Sequence, residues 1–108
     1  MAGNVVHAGK ANFEKEVLKC KVPVLVDFYA DWCMPCRDLA PVLEKLADEM
    51  KGKAKIVKIN IEDEMELARQ FEVVHIPALF LFKGGKVVSQ DVSVHPLPAL
   101  KKWIEQVL

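Results

Sequence analysis

The chain has 108 residues, 52% of them hydrophobic, and its 15 basic and 15 acidic side chains give a formal net charge of zero. This is the composition of a globular protein rather than a disordered one, and the length suits a single domain over residues 1–108 with its own core. Neutrality supplies no electrostatic reason to expect nucleic acid or an anionic membrane as partner. Three cysteines are too few, and odd in number, for a secreted disulfide framework. Asn, His, Lys and Glu interrupt the first twenty residues, so no secretory apolar region is present. No apolar run approaches the roughly 20 residues of a membrane span. A cytoplasmic chain, monomeric by default, is the expectation, provided that no leader has been removed.

Val5-Val6-His7 reads as a short edge strand, and Asn12 as the N-cap of a helix running to about Leu18 or Cys20. On that helix Phe13, Val17 and Cys20 share one face, which makes Cys20 a small core hydrophobe. Val24 to Tyr29 is apolar on both faces except for Asp27, the pattern of a central strand covered on each side, with Pro23 at its start. From Pro35 to Met50 the apolar residues fall at helical intervals, with Pro41 inside the pattern predicting a kink and Gly52 ending it.

Lys55 to Ile61 is a second β-branched strand, and Glu64 to Phe71 a short helix with Leu67, Ala68 and Phe71 inward. Ala78 to Phe82 and Lys86 to about Val92 flank Gly84-Gly85, a two-residue hairpin turn. Pro96 and Pro98 open a last helix on which Leu100, Trp103, Ile104, Val107 and Leu108 form one apolar face. The order β-α-β-α-β-α-β-β-α predicts an α/β fold, a mixed five-stranded sheet flanked by four helices, with parallel crossovers first and an antiparallel hairpin last.

Cys33 and Cys36 stand two residues apart where a strand gives way to a helix. Such a pair is either half of a zinc site or a reversible disulfide. Zinc needs four ligands, and here only the isolated Cys20, His7, His75 and His95 remain, so neither a metal nor any cofactor beyond the cysteine pair is expected. The redox reading explains more of the local sequence. Cys33 lies just ahead of unsatisfied backbone N–H groups at the positive end of a helix dipole, which favours the nucleophilic thiolate. Cys36 lies one turn in, and Pro35 stiffens the link. Cys33 is therefore the expected attacking sulfur, and Cys36 the resolving one.

With Trp32-Cys33-Met34-Pro35-Cys36, Val26-Asp27-Phe28, Pro41, Lys58, Ile76-Pro77 and Phe82-Lys83-Gly84-Gly85 in order, the chain resembles the thioredoxin family over essentially its whole length. The resemblance implies the thioredoxin fold and several roles. Asp27 resembles the family's buried acid beneath the cysteines, able to exchange a proton with Cys36 directly or through a water; burial of an unpaired carboxylate raises its proton affinity. Lys58 would be its modulating charge. Pro77 resembles the family's cis-proline, leaving the backbone of Ile76 free to pair with an extended substrate strand. Trp32 resembles the aromatic that flanks the nucleophile.

Five positions depart from the family's pattern. Met34 stands where glycine is usual, and bulk between the two sulfurs is expected to change the reduction potential. His75 stands two residues before Pro77; close to Cys33, its protonated form would stabilise the thiolate, whereas on a loop surface it would not. Ser93-Val94 replaces a glycine-led segment bordering the substrate groove, and Ala78 the threonine common after the proline. These positions bear on substrate range more than on the reaction.

Three functions follow. The first is a protein-disulfide reductase recharged by a flavin-dependent, NADPH-consuming thioredoxin reductase and acting on disulfide-containing client proteins. The second is a specialised redox relative with a dedicated reductant or client. The third is a non-enzymatic thioredoxin-fold binding subunit. A pure binding module has no physical need of an acid beneath two thiols, so the Cys33, Cys36, Asp27 and Pro77 set argues against the third.

Overall fold

The computed structural model describes residues 4–108. Its elements are β1 (Val5–His7), a π-helical turn (Glu14–Leu18), β2 (Val24–Tyr29), α1 (Met34–Glu49), β3 (Lys55–Asn60), α2 (Met65–Gln70), β4 (Ala78–Lys83), β5 (Lys86–Asp91) and α3 (Leu97–Glu105). The strands form one sheet in the order β1-β3-β2-β4-β5. β1 and β2 run parallel to β3, while β4 is antiparallel to both β2 and β5. The expected mixed five-stranded sheet is present, and β2 is its middle strand. This position explains why β2 is apolar on both faces: each face carries a core.

One core joins Val24, Val26 and Phe28 of β2 to Phe13, Val17, Leu67 and Phe80. Phe28 and Phe80 meet edge to face with ring centroids 5.4 Å apart. The other joins Leu25 to Leu39, Leu43 and Leu46 of α1 and to Leu100 and Ile104 of α3. Every one of these leucines is completely buried, a gain of about 1.5–3 kcal/mol for each side chain. Alternation along β2 puts Asp27 on the α1/α3 side with Leu25.

Four local expectations change. The first helix is a five-residue π-type turn closed by the Lys19 N–H on the Glu14 carbonyl. Asn12 does not cap it. Its side-chain oxygen accepts from the Gly9 N–H at 2.8 Å, so a local turn takes the group that capping would have used. Cys20 is half-buried against the first core rather than enclosed by it. Leu108 is 54% exposed because α3 ends at Glu105, before the periodic pattern does. Pro41 is exposed within α1, which is assigned as one element from Met34 to Glu49.

Both turn glycines have left-handed backbone, Gly84 at φ +61° and Gly85 at +80°, as a two-residue hairpin requires. α2 ends in a Schellman motif: the Val73 N–H reaches the Ala68 carbonyl at 2.9 Å and the Glu72 N–H the Arg69 carbonyl at 3.0 Å. That motif wants glycine at its left-handed position. Here Glu72 holds it at φ +54°, against a steric penalty of roughly 1–2 kcal/mol.

Candidate active site at the start of the long helix

β2 is followed by Ala30-Asp31-Trp32 and then by α1, so the first turn of α1 sits at the end of the central strand. Cys33 is the N-cap of α1, with extended backbone, and its Sγ accepts the Cys36 N–H at 3.2 Å. The sulfur occupies the place a serine oxygen takes in an ordinary capped helix. Pro35 fits this first turn, where its missing N–H leaves no intrahelical bond unmade. Cys33 and Cys36 form a disulfide with their Cα atoms 5.2 Å apart. Both are buried against Ala30, with Tyr29, Ile61 and Ile76 packed around them.

The Ile76–Pro77 peptide bond is cis and Pro77 is buried. Beside it, the Ile76 carbonyl oxygen stands 3.8 Å from Cys33 Sγ. Trp32, next to Cys33 in the chain and 64% exposed, donates its indole N–H to Glu62 at 2.9 Å. Met34 is also exposed. Glu62 was not foreseen, because nothing local in a run of acids says which one an indole will reach.

Asp27 is completely buried, and neither carboxylate oxygen has a hydrogen-bond partner. Burial raises its pKa from 3.8 to about 7, against the opposing pull of Lys58. Lys58 is paired with Asp27 across β2 and β3. A cavity lined by Tyr29, Ala30, Asp31, Cys36, Arg37, Ala40 and Lys58 brings the lysine and the inner cysteine to one opening.

His75 is exposed and lines a groove with Val74 and Val92, and among the described residues no hydrogen bond joins it to either cysteine. Ser93 does make a hydrogen bond, but within its own loop: Ser93 Oγ lies 2.9 Å from His95 Nε2, which lies 2.7 Å from Asp91 Oδ2. Both partners use the same imidazole nitrogen. A proton relay needs them on opposite nitrogens, so the Ser93, His95 and Asp91 cluster is a loop clasp and not a nucleophile triad. Among the described residues, no group of three or more His, Cys, Asp or Glu is placed to hold a metal ion. None of the described helices is long and apolar enough to cross a membrane.

Placed beside known proteins, the chain matches the family model described as Thioredoxin over residues 4–106. It is 43% identical over 106 residues to thioredoxin C-2 of Corynebacterium nephridii, covering 98% of each chain. It is 45% identical over 102 residues to the thioredoxin of Haemophilus influenzae, covering 94% of this chain and 95% of that one. A bifunctional thioredoxin reductase/thioredoxin of Mycobacterium leprae is 39% identical over 107 residues, 99% of this chain and 23% of that longer protein. The chain belongs to the thioredoxin family, and the reaction its cysteine pair serves is thiol–disulfide exchange.

Proposed function

We propose that the protein works in the reducing direction, as a single-domain, monomeric protein-disulfide reductase of the cytoplasm, with no cofactor besides its own cysteine pair. In the dithiol form the Cys33 thiolate attacks one sulfur of a client disulfide. A mixed disulfide forms and the other client sulfur leaves as thiolate. The Cys36 thiolate then attacks Cys33 Sγ, closing the Cys33–Cys36 bond and releasing the second client thiol. Two electrons pass to the client.

The observation that carries this assignment is the Cys36 N–H aimed at Cys33 Sγ at the positive end of α1. The helix N–H that Cys33 Sγ caps stabilises negative charge on that sulfur. Asp27, whose raised pKa of about 7 leaves part of the protein with a strongly basic carboxylate near neutrality, accepts in that ionised form the proton of Cys36 as that thiol becomes the second nucleophile. Lys58 tunes this acid through space. Trp32, Met34, Pro35 and the Ile76–Pro77 segment frame the client strand, the free Ile76 backbone pairing with it. His75 and Ser93 border the same strand further out.

The electron donor in this reading is a flavin-dependent thioredoxin reductase that consumes NADPH. The Mycobacterium leprae relative, a bifunctional thioredoxin reductase/thioredoxin, supports that pairing. The test is insulin reduction, first with dithiothreitol and then with NADPH and a bacterial thioredoxin reductase. Activity in both arms is expected. Activity with dithiothreitol alone would replace the general reductase by a relative with a dedicated donor, and none in either arm would leave a binding subunit.

A further inference from the structure

Beside the disulfide, on the face of the sheet opposite α1, lies a groove of about 400 Å³ between the loop after α2 and the end of β5. Its apolar floor and walls are Phe71, Ala78, Phe80 and Val74, and its rim carries Glu72 and His75. The volume is ample for one long side chain of a bound peptide. It opens one residue from Ile76, whose carbonyl touches Cys33 Sγ, so a chain bound at the disulfide passes its mouth.

The two carboxylates of this groove differ. Asp91 is already committed, to the Val92 N–H and to His95. Glu72 makes no ion pair among the described residues. It also occupies the left-handed position of the α2 cap, where glycine fits without penalty. Backbone geometry gives no reason for a glutamate there, and an acidic residue without an ion pair in the lining of an otherwise largely apolar groove gives a chemical one. A side chain with an apolar stem and a cationic head matches both parts.

We propose that this groove is a specificity subsite for client disulfides, taking a lysine or arginine two residues from the reactive client cysteine. The stem lies on Phe71, Ala78 and Phe80 and the head meets Glu72. Two residues is the distance at which side chains of an extended strand return to one face. The inference rests on the reading of Cys33 as the attacking sulfur.

The test uses the reduced full chain in single turnovers on disulfide peptides that are identical except for Arg, Leu or Glu two residues before or after the cysteine. The Arg peptide is expected to react about fivefold faster than the Leu peptide in low salt, with the ratio shrinking as salt rises. Glu72→Gln should bring that ratio close to one. Glu72→Gly should do the same while Tm holds or rises, a combination that a purely structural glutamate would not produce. An Arg preference that survives in Glu72→Gln, or no preference in the native chain while the Leu peptide is reduced, would overturn the subsite. Failure to reduce any peptide would overturn the Cys33 reading, and the subsite with it.

Discussion

Asp27 and Lys58 are partners across β2 and β3, yet they do not join: the ammonium lies over the Tyr29 ring, 4.2 Å from its centroid, and both carboxylate oxygens stay unpartnered. An ion pair would have locked Asp27 in its charged form. The cation–π contact holds the lysine near enough to bias the acid and too far to neutralise it. The result is a buried group poised near neutral pH.

Stability should therefore depend on pH through Asp27 in a calculable direction. Its folded pKa of about 7 lies above its ordinary 3.8. Below 3.8 both folded and unfolded chains hold the proton, and Asp27 contributes nothing. Between 3.8 and about 7 only the unfolded chain ionises, so stability falls as pH rises, by about 1.4 kcal/mol per pH unit. Above about 7 the deficit levels off at about 4 kcal/mol. Asp27→Ala removes that slope and leaves a small void, so a net gain of about 2–3 kcal/mol is expected at pH 8 and none at pH 3. Urea unfolding of both proteins at several pH values checks it; parallel stability curves would contradict the burial argument.

The same variant should be slower in exchange. Losing the proton acceptor of Cys36 is expected to slow the resolving step by up to about 10²-fold. Stopped-flow decay of the mixed disulfide isolates that step. A variant that is more stable and slower separates the acid's chemistry from its effect on folding.

Lys58 pulls the Asp27 pKa down. Lys58→Met is expected to move it above about 7, and the pH at which stability stops falling should move up with it. Carboxyl ¹³C titration of Asp27 reads the shift directly, and an unmoved titration would show the lysine to be a bystander.

The cysteines should behave differently from each other. Cys36→Ser is expected to trap a mixed disulfide with a client, visible as a dithiothreitol-sensitive mass adduct, because nothing remains to attack Cys33. Cys33→Ser should give no adduct and no insulin reduction. Equal trapping by the two variants would erase the assigned asymmetry.

The hairpin supplies a stability control away from the chemistry. A Cβ at Gly85 would lie 2.9 Å from the Leu18 carbonyl oxygen, at φ +80°, whereas one at Gly84 would meet nothing within 4 Å. Gly85→Ala is expected to destabilise by about 2–3 kcal/mol and Gly84→Ala by about 1, the conformational penalty alone. Thermal unfolding of the pair checks the difference.

Several features were legible because their signals are local. The Gly84-Gly85 turn follows from backbone freedom at adjacent residues, and the central strand from an apolar run that only a doubly covered position can bury. Cysteines separated by two residues at a strand-to-helix junction, with no second ligand pair in the chain, point to redox chemistry, and the structure adds the Cys36 N–H that Cys33 Sγ caps. Asn12 misled because two local hydrogen-bond patterns compete for one side chain, and the sequence does not weigh them.

Tertiary structure alone decided what meets across loops. It brought Ile76 to Cys33, Glu62 to Trp32 and Glu72 to a groove floored by Ala78, and it closed Ser93 onto His95 instead of the cysteines. Spacing and periodicity act through steric and burial forces within a turn or a strand, so they can be read along the chain. Which loops converge at one end of the sheet depends on how two separate cores pack at once, and no single stretch of residues contains that information.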